Sequence, residues 1–451
     1  MYQRLLNFIQ RHNLLREGER VIVGYSGGAD STCLLHLLHR AGYEVIAAHL
    51  NHMQRPEAEK EERFCEEQAK KLGVRFVSER ADVPKIAKEK KIGIEEAGRF
   101  ARYDFFCRLH KSFDAKVATA HTLDDHIETI FLHLARGSGL TGVSGISVQR
   151  DFIVRPLLWA RRKETHAFCE KENLPILSDP ANVDENFTRV RVRKVLIPAW
   201  ESLHPSAVEN LARFASIARE EDIFLDAQAR NLLSECEIEP HPELSFLHRD
   251  VERTFDVGCL QSHPKVLLRR AIRSLVHQFK REISYELTEQ ILEAILQKHK
   301  NSVTLEGGDV VLETSQRQFR IRSLENPPDF CIPLSIPGEV AFDGWKIVAQ
   351  KPQLENAGLK AIISMANVRG SLVVRPFRPG DRIQPAKSRY ERKLQDVLTD
   401  AKVSSALKRR LPLVCDDEGP LWVPGVCIAS RAAPDASSES VSLQLLPMTP
   451  E

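Results

Sequence analysis

Residues Arg20 to Leu34 read RVIVGYSGGADSTCL, and this stretch decides the fold. Val21 to Tyr25 is a short apolar strand. From Asp30 to Ala41 the chain carries Leu34, Leu35, Leu37 and Leu38 at helical spacing and stops at Gly42, a residue suited to the position after a helix end. Between strand and helix, Ser26-Gly27-Gly28-Ala29-Asp30-Ser31 gathers backbone N–H groups and a helix N-terminus around one point, which favours an anion such as phosphate. Gly27 and Gly28 remove Cβ atoms that would keep a phosphate off the backbone, Ser26 and Ser31 add hydroxyl donors, and Asp30 could hold Mg²⁺ bridging the phosphates. By itself a glycine pair favours an ordinary tight turn in which Asp30 or Ser31 caps the helix. The motifs around it reverse that reading.

Working outward, strand-like and helix-like patterns alternate over the first two hundred residues. Val45 to His49 is a second strand, a charged helix ends at Gly73, and Val74 to Val77 is a third strand. A helix over Ile94–Leu109, a strand over Lys116–Ala120 and a helix over Leu123–Ala135 follow. This is the pattern of an α/β domain with a doubly wound parallel sheet. Near Pro198 the character changes. A long helical pattern opens at His204-Pro205-Ser206, and a second helical segment covers His263 to His299. Past Pro327-Pro328, short strands such as Lys346–Ala349 and Ser371–Val374 indicate a small α+β domain. The expected division is 1–203 for the catalytic domain, 204–330 for a helical middle domain and 331–451 for the α+β domain. Within the last, APDASSES (433–440) reads as a flexible loop.

Composition limits the function. The chain has 451 residues, 42% hydrophobic and 28% charged, with a net charge of +2, so any nucleic-acid surface must be local. No stretch approaches the roughly 18 apolar residues of a membrane helix, and the amphipathic N-terminus is not a signal peptide; a cytoplasmic protein that meets no membrane is expected. Nine scattered cysteines without a CxxC pair suggest neither a disulfide framework nor a zinc ribbon.

A second constellation, AHTLDDHIET (120–129), follows the fourth strand. Asp124 and Glu128 share a helix face four residues apart, a like-charge pair that calls for a cation such as Mg²⁺ or a substrate ammonium, although acidic residues in a first helical turn are also favoured by the dipole. His121, His126 and His133 match no zinc pattern and read as packing or hydrogen-bonding residues. The helix leaves through Arg136-Gly137-Ser138-Gly139, where Arg136 could pair with a phosphate.

Two segments are candidates for RNA. Arg189, Arg191 and Arg193 alternate, so in an extended strand they would line one face, whereas in a helix they would spread out. Residues 375–412 hold eleven Lys or Arg against four Asp or Glu, and such confined positive charge suits phosphate neutralisation. Tyr390 or Trp422 could stack on a base there, or be buried.

The SGGADS loop resembles the pyrophosphate loop (PP-loop) of ATP pyrophosphatases, which split ATP into AMP and pyrophosphate to activate a carbonyl oxygen. The ordered set is more specific. It comprises HLNH (49–52), EEAGRFARY (95–103), AHTLDDHIETIFLHLARGSGLTG (120–142), RPLL (155–158) and DPAN (179–182), followed by RP (375–376), RPGDR (378–382), KL (393–394) and RLP (410–412). Together these resemble the tRNA(Ile)-lysidine synthetase family over nearly the whole chain; Gly24-Tyr25, where small apolar residues would be expected, departs from its pattern.

The resemblance implies ATP and Mg²⁺ as cofactors and isoleucine tRNA with a CAU anticodon and free L-lysine as partners, and it leaves a homodimer open. It implies ATP contacts at Ser26, Gly27, Gly28, Ala29, Asp30, Ser31, His49, Arg136 and Gly137, and Mg²⁺ on Asp30 and Asp125. Catalytic roles fall to Asp30, Asp124, Asp125, Glu128 and Arg99. RNA contacts fall to Arg102, Arg189, Arg191, Arg193, Arg375, Arg378 and Arg382, the last three in what resembles an acceptor-stem-binding domain. The alternatives are a tRNA thiolation enzyme with the same loop, which would commonly need paired cysteines, an amidotransferase-type synthetase, and a non-catalytic tRNA binder.

Overall fold

The computed structural model describes residues 1–54, 57–177, 188–239, 241–247, 251–325, 329–351, 359–434 and 439–448. It divides into two compact units, 1–223 and 224–451.

The first unit runs α1 (Tyr2–Arg11), β1 (Arg20–Gly24), α2 (Ala29–Arg40), β2 (Glu44–Asn51), α3 (Ala58–Leu72), β3 (Arg75–Arg80), α4 (Val83–Lys90), α5 (Ile94–Phe113), β4 (Lys116–Ala118) and α6 (Leu123–Ala135). A short α7 (Leu140–Val143), a β5–β6 hairpin (Gln149–Arg150, Ile153–Val154), α8 (Arg162–Lys171), α9 (Thr188–Arg191), a π-turn (Val192–Leu196) and α10 (Ile197–Leu203) follow, and α11 (Ala207–Cys236) carries the chain into the second unit. The sheet order is β3-β2-β1-β4-β6-β5. All neighbours are parallel except the β5–β6 hairpin at the edge.

Period-two alternation builds two cores from one strand. Val21 and Val23 of β1 pack with Leu34, Leu35 and Leu38 of α2, while Ile22 faces Phe105 and Phe106 of α5. Gly24 lets that second layer close, since a Cβ there would lie 2.8 Å from Phe106 Cζ. Tyr25 is buried beside the first layer, as a packing residue. Gly42 and Gly73 adopt left-handed backbone just past the ends of α2 and α3 (φ +82° and +75°).

The strand order places the site. β1 has β2 on one side and β4 on the other, so α2 and α6 leave adjacent strands at the switch point, where α/β sheets bind ligands beyond the strands' carboxyl ends.

In the second unit, α12 (Val257–Gln261), α13 (Lys265–Gln278) and α14 (Tyr285–Leu296) provide the helices expected in the middle of the chain. A four-stranded antiparallel sheet joins them: β7 (Glu252–Asp256), β8 (Asn301–Thr304), β9 (Val310–Thr314) and β10 (Gln318–Ser323), in the order β7-β10-β9-β8. Its inner face is Phe255, Val310, Leu312, Phe319 and Ile321. Two further sheets share a separate core around Trp345, Ile347, Val374, Leu413, Leu421 and Leu443. One contains β11 (Ile332–Pro333), and the other β12 (Gly338–Phe342), β13 (Trp345–Gln350) and β14 (Leu359–Ser364). β15 (Val373–Arg375) joins the first, and a β16–β17 hairpin (Arg382–Ile383, Arg392–Lys393) leads into α15 (Leu394–Asp400) and α16 (Ser405–Arg410). β18 (Leu413–Asp416), β19 (Gly419–Val423) and β20 (Cys427–Ile428) complete the first sheet and β21 (Ser440–Pro447) the second. Among the described residues no helix is long and apolar enough to cross a membrane. The DPAN motif and residues 435–438 of APDASSES lie outside the described residues.

Candidate active site

The β1–α2 loop turns sharply at Gly27. Gly27 has φ +77°, and a Cβ there would lie 2.7 Å from Leu177 Cδ1 and 3.1 Å from Cys65 Sγ, so only glycine fits. Gly28 differs: its backbone is extended, and a Cβ would meet only Ser26 Oγ, at 3.6 Å. The Gly27 carbonyl accepts the Leu177 N–H at 2.8 Å. Ser31 braces the loop from below, accepting the Ser26 N–H (3.2 Å) and donating to the Gly28 carbonyl (3.0 Å). Its buried hydroxyl therefore shapes the loop, and Ser26 is the exposed hydroxyl. Neither Asp30 nor Ser31 caps the helix: Gly28 is the cap residue of α2 and no side chain bonds the first-turn amides. Ala29 is buried in the first turn. His49 is buried and donates from Nδ1 to the Tyr25 carbonyl (2.9 Å), supporting the loop from β2.

From β4, Thr122 and Asp125 form a capping box at the start of α6. The carboxylates of this turn do not face an open gap, because arginines from α8 and α9 fill it. Arg162 reaches Asp125 Oδ1 (2.8 Å), Glu128 Oε1 (3.3 Å) and Asp30 Oδ2 (3.5 Å). Asp124 accepts the Arg162 backbone N–H at 2.6 Å and the Arg161 guanidinium at 3.1 Å, and Arg161 also holds Glu201 at 2.7 Å. Glu128 has no exposed side-chain surface and takes Arg193 at 2.7 Å and Arg189 at 3.5 Å besides Arg162. The cation that the Asp124/Glu128 spacing calls for is thus supplied by the chain's own guanidinium groups.

Burial pushes the Asp30 carboxyl above its ordinary pKa despite the Thr165 hydroxyl and Arg162. For Asp125 burial also pushes upward, but Arg162, His121 and the Thr122 bonds outweigh it and hold the carboxyl low. The two carboxyls thus differ in direction: burial prevails at Asp30, the favourable partners at Asp125. Burial lowers His121 and His126 to about 4, so both are neutral near pH 7. His121 Nδ1 lies 3.0 Å from Thr119 Oγ1, His126 Nδ1 accepts the Ile146 N–H (2.9 Å), and His133 Nδ1 donates to the Gly142 carbonyl (2.8 Å).

Arg189, Arg191 and Arg193 do not form a strand face. They lie on α9 and the π-turn after it, where four-residue spacing turns Arg189 and Arg193 inward together and leaves Arg191 exposed. Arg99 is exposed over the Tyr103 ring, 5.0 Å from its centroid, and Arg102 is exposed on the same helix. Arg136 and Gly137 are not brought to the carboxylates: they end α6, about 18 Å of helical rise beyond Asp124. Sequence reading missed Arg161, Arg162 and Thr165. A signal was present, because adjacent arginines at a helix N-terminus oppose the dipole and so demand an anion.

In the second unit Arg375 is buried and both guanidinium arms lie on Asp381 (2.8 and 2.9 Å), which also accepts the Arg378 N–H (2.8 Å). Arg375 therefore builds the turn instead of meeting RNA, and Gly380 closes that turn at φ +98°. Arg378 is exposed, and Arg382 is exposed and paired with Glu391 at 2.6 Å. Lys387, Arg389 and Lys393 add exposed charge, and Tyr390 is 78% exposed among them. Trp422 is core.

Residues 1–200 match the family model of the PP-loop domain, and residues 372–445 that of the TilS substrate C-terminal domain. The tRNA(Ile)-lysidine synthase of Geobacillus kaustophilus (strain HTA426) is 31% identical over 454 residues, covering 94% of this chain and 95% of that one. The chain belongs to the tRNA(Ile)-lysidine synthase family. A bifunctional protein TilS/HprT of Listeria innocua is 32% identical, covering 94% of this chain and 67% of its own length. A crystal structure of the TILS C-terminal domain matches 27% of this chain and 100% of that one, at 25% identity and a TM-score of 0.25.

Membership makes chemical sense of the cysteines near the loop. Burial raises the thiol pKa values of Cys33, Cys65 and Cys169, the last two to about 12 and 11, so these groups are protonated thiols near pH 7.

Proposed function

We propose that the chain joins free L-lysine to the position-2 carbon of the wobble cytidine in isoleucine tRNA with a CAU anticodon, consuming ATP. The cytidine O2 attacks the α-phosphorus of ATP, pyrophosphate leaves, and an O2-adenylate forms. The ε-amine of lysine then attacks the carbon and AMP departs. The product, lysidine, changes the codon read from AUG to AUA.

The observation that carries this reading is the uncapped N-terminus of α2 beside a carboxylate cluster already balanced by arginines. The departing pyrophosphate meets the amides of the Ser26–Asp30 turn, where the helix dipole and the bare Gly28 backbone favour it. Arg162 places a fixed positive charge next to this point. Asp30, partly buried with Arg162 at 3.5 Å, fits Mg²⁺ as a hard oxygen ligand, with Asp125 the second candidate. When bound, Mg²⁺ neutralises phosphate charge. The lysine amine, with an ordinary pKa of about 10.4, must lose a proton to react, and a carboxylate at the start of α6, Asp124 or Asp125, takes it. The exposed cations Arg99, Arg102 and Arg191 in the first unit, and Arg378, Arg382 and Arg389 in the second, face solvent and offer phosphate contacts to the tRNA. The chain works in the cytoplasm and, where it dimerises, does so as a homodimer.

Asp30→Asn tests the site. It should cut pyrophosphate release by at least about 100-fold while leaving tRNA affinity within about twofold; unchanged turnover would remove Asp30 from the reaction.

A further inference from the structure

Cys236, the last residue of α11, is bonded to Cys259 in the short helix α12, with Cα atoms 5.4 Å apart and a sequence separation of 23. The spacing fits no local motif, yet the packing enforces the approach. Leu232, Leu233, Phe255, Val257 and Leu260 share one core with Cys236, and Asp256 fixes the Cys259 N–H at 2.7 Å. The two sulfurs therefore stay neighbours whether or not they are bonded. They differ in access: Cys236 is 2% exposed, Cys259 only partly buried. His263 lies one turn beyond, its ring within 4.8 Å of both sulfurs. Its Nε2 is buried without a hydrogen-bond partner among the described residues, Glu235 Oε2 being 3.6 Å away. Burial raises the other buried thiols, Cys33, Cys65, Cys169 and Cys415, above the ordinary thiol range and so disfavours their thiolates.

We infer that Cys236 and Cys259 form a reversible modification site for low-molecular-weight disulfides of the glutathione class, in which Cys259 reacts first and Cys236 resolves. The Cys259 thiolate attacks one sulfur of the disulfide, forming a mixed disulfide and releasing one small thiolate. The Cys236 thiol loses its proton to the His263 imidazole, and its sulfur attacks Cys259 Sγ, releasing the second small thiolate. The two protons shed by the protein end on the two released thiols. Two protein thiols are thus oxidised and one small disulfide is reduced. The bond ties the end of α11 to α12, and because it closes a loop of this length it should raise the melting temperature of the second unit by about 5–10 °C.

The test equilibrates the full chain in graded mixtures of reduced and oxidised glutathione. Free thiols are then trapped with iodoacetamide and each cysteine is mapped by peptide mass spectrometry. Cys236 and Cys259 should convert together at one midpoint that depends on the square of reduced over oxidised glutathione. In Cys236→Ser a glutathione adduct should accumulate on Cys259, and in Cys259→Ser an adduct on Cys236 should form roughly tenfold more slowly. His263→Ala should slow ring closure while leaving the final extent unchanged. Independent conversion of the two cysteines in the parent chain would overturn the site, and equal adduct rates would overturn the order of attack. A changed extent with an unchanged rate in His263→Ala would remove the histidine from the exchange.

Discussion

Replacing Arg162 by Met removes one positive charge from among three carboxylates while keeping most of the side-chain volume. Arg162 lies 2.8, 3.3 and 3.5 Å from Asp125, Glu128 and Asp30, with 22% of its side chain exposed. Losing one partner of a buried ion pair costs about 3–5 kcal/mol, and partial solvent access argues for the lower end, about 3 kcal/mol. For a unit of this size that is a fall in melting temperature of about 6–12 °C near pH 7.5.

The pH dependence adds a sign. In the parent chain Asp125 sits below the ordinary carboxylate range, so its contribution is present above about pH 4 and fades only as the pH falls further. Without Arg162, burial weighs more heavily: the Asp30 carboxyl, already above its ordinary value, rises further, and Asp125 rises with it. The penalty then grows as pH rises through the raised values, so the gap between variant and parent should be smaller at pH 5 than at pH 8. Scanning calorimetry on both proteins at the two pH values reads this directly. A gap under about 2 °C at pH 8, or one that widens on acidification, would refute the account of the cluster.

Gly27→Ala forces a non-glycine residue to φ +77° and drives its Cβ against Leu177. A loss of about 2 kcal/mol, or about 4–8 °C, should accompany a raised KM for ATP; an unchanged KM would separate the loop from ATP. Arg375→Ala breaks the buried pair with Asp381 and should lower the melting temperature of the second unit by about 6–12 °C. Exposed Arg378→Ala should leave melting unchanged and reduce the salt slope of tRNA binding by about one, and filter binding across a salt series checks it.

Local signals made much of the fold legible. The strand before the glycine pair, the leucines after it and the run Leu123–Ala135 each carry their own periodicity and stops, so β1, α2 and α6 appear where the pattern puts them. The loop and the α6 carboxylates were legible for the same reason. What they pair with was not, because Arg162 comes 37 residues after Asp125 and no local period encodes that meeting. Arg189, Arg191 and Arg193 misled through an ambiguous spacing: residues two apart share a strand face, but the first and third also share a helix face. The strands of the middle segment escaped notice because they are short and sit between strongly periodic helices. The Cys236–Cys259 bond, which overturns the expectation of no disulfide, depends on tertiary packing alone.

In the proposed reaction, ATP cleavage at the Ser26–Asp30 turn is coupled to lysine transfer onto tRNA. The direct measurement follows pyrophosphate release with ATP, Mg²⁺ and unmodified isoleucine tRNA bearing a CAU anticodon, adding each of the twenty amino acids separately and tracking [¹⁴C]lysine in the tRNA. Label should enter the tRNA with lysine alone, one lysine for each pyrophosphate released. Pyrophosphate release without incorporation of lysine, or nucleotide binding without turnover, would contradict it.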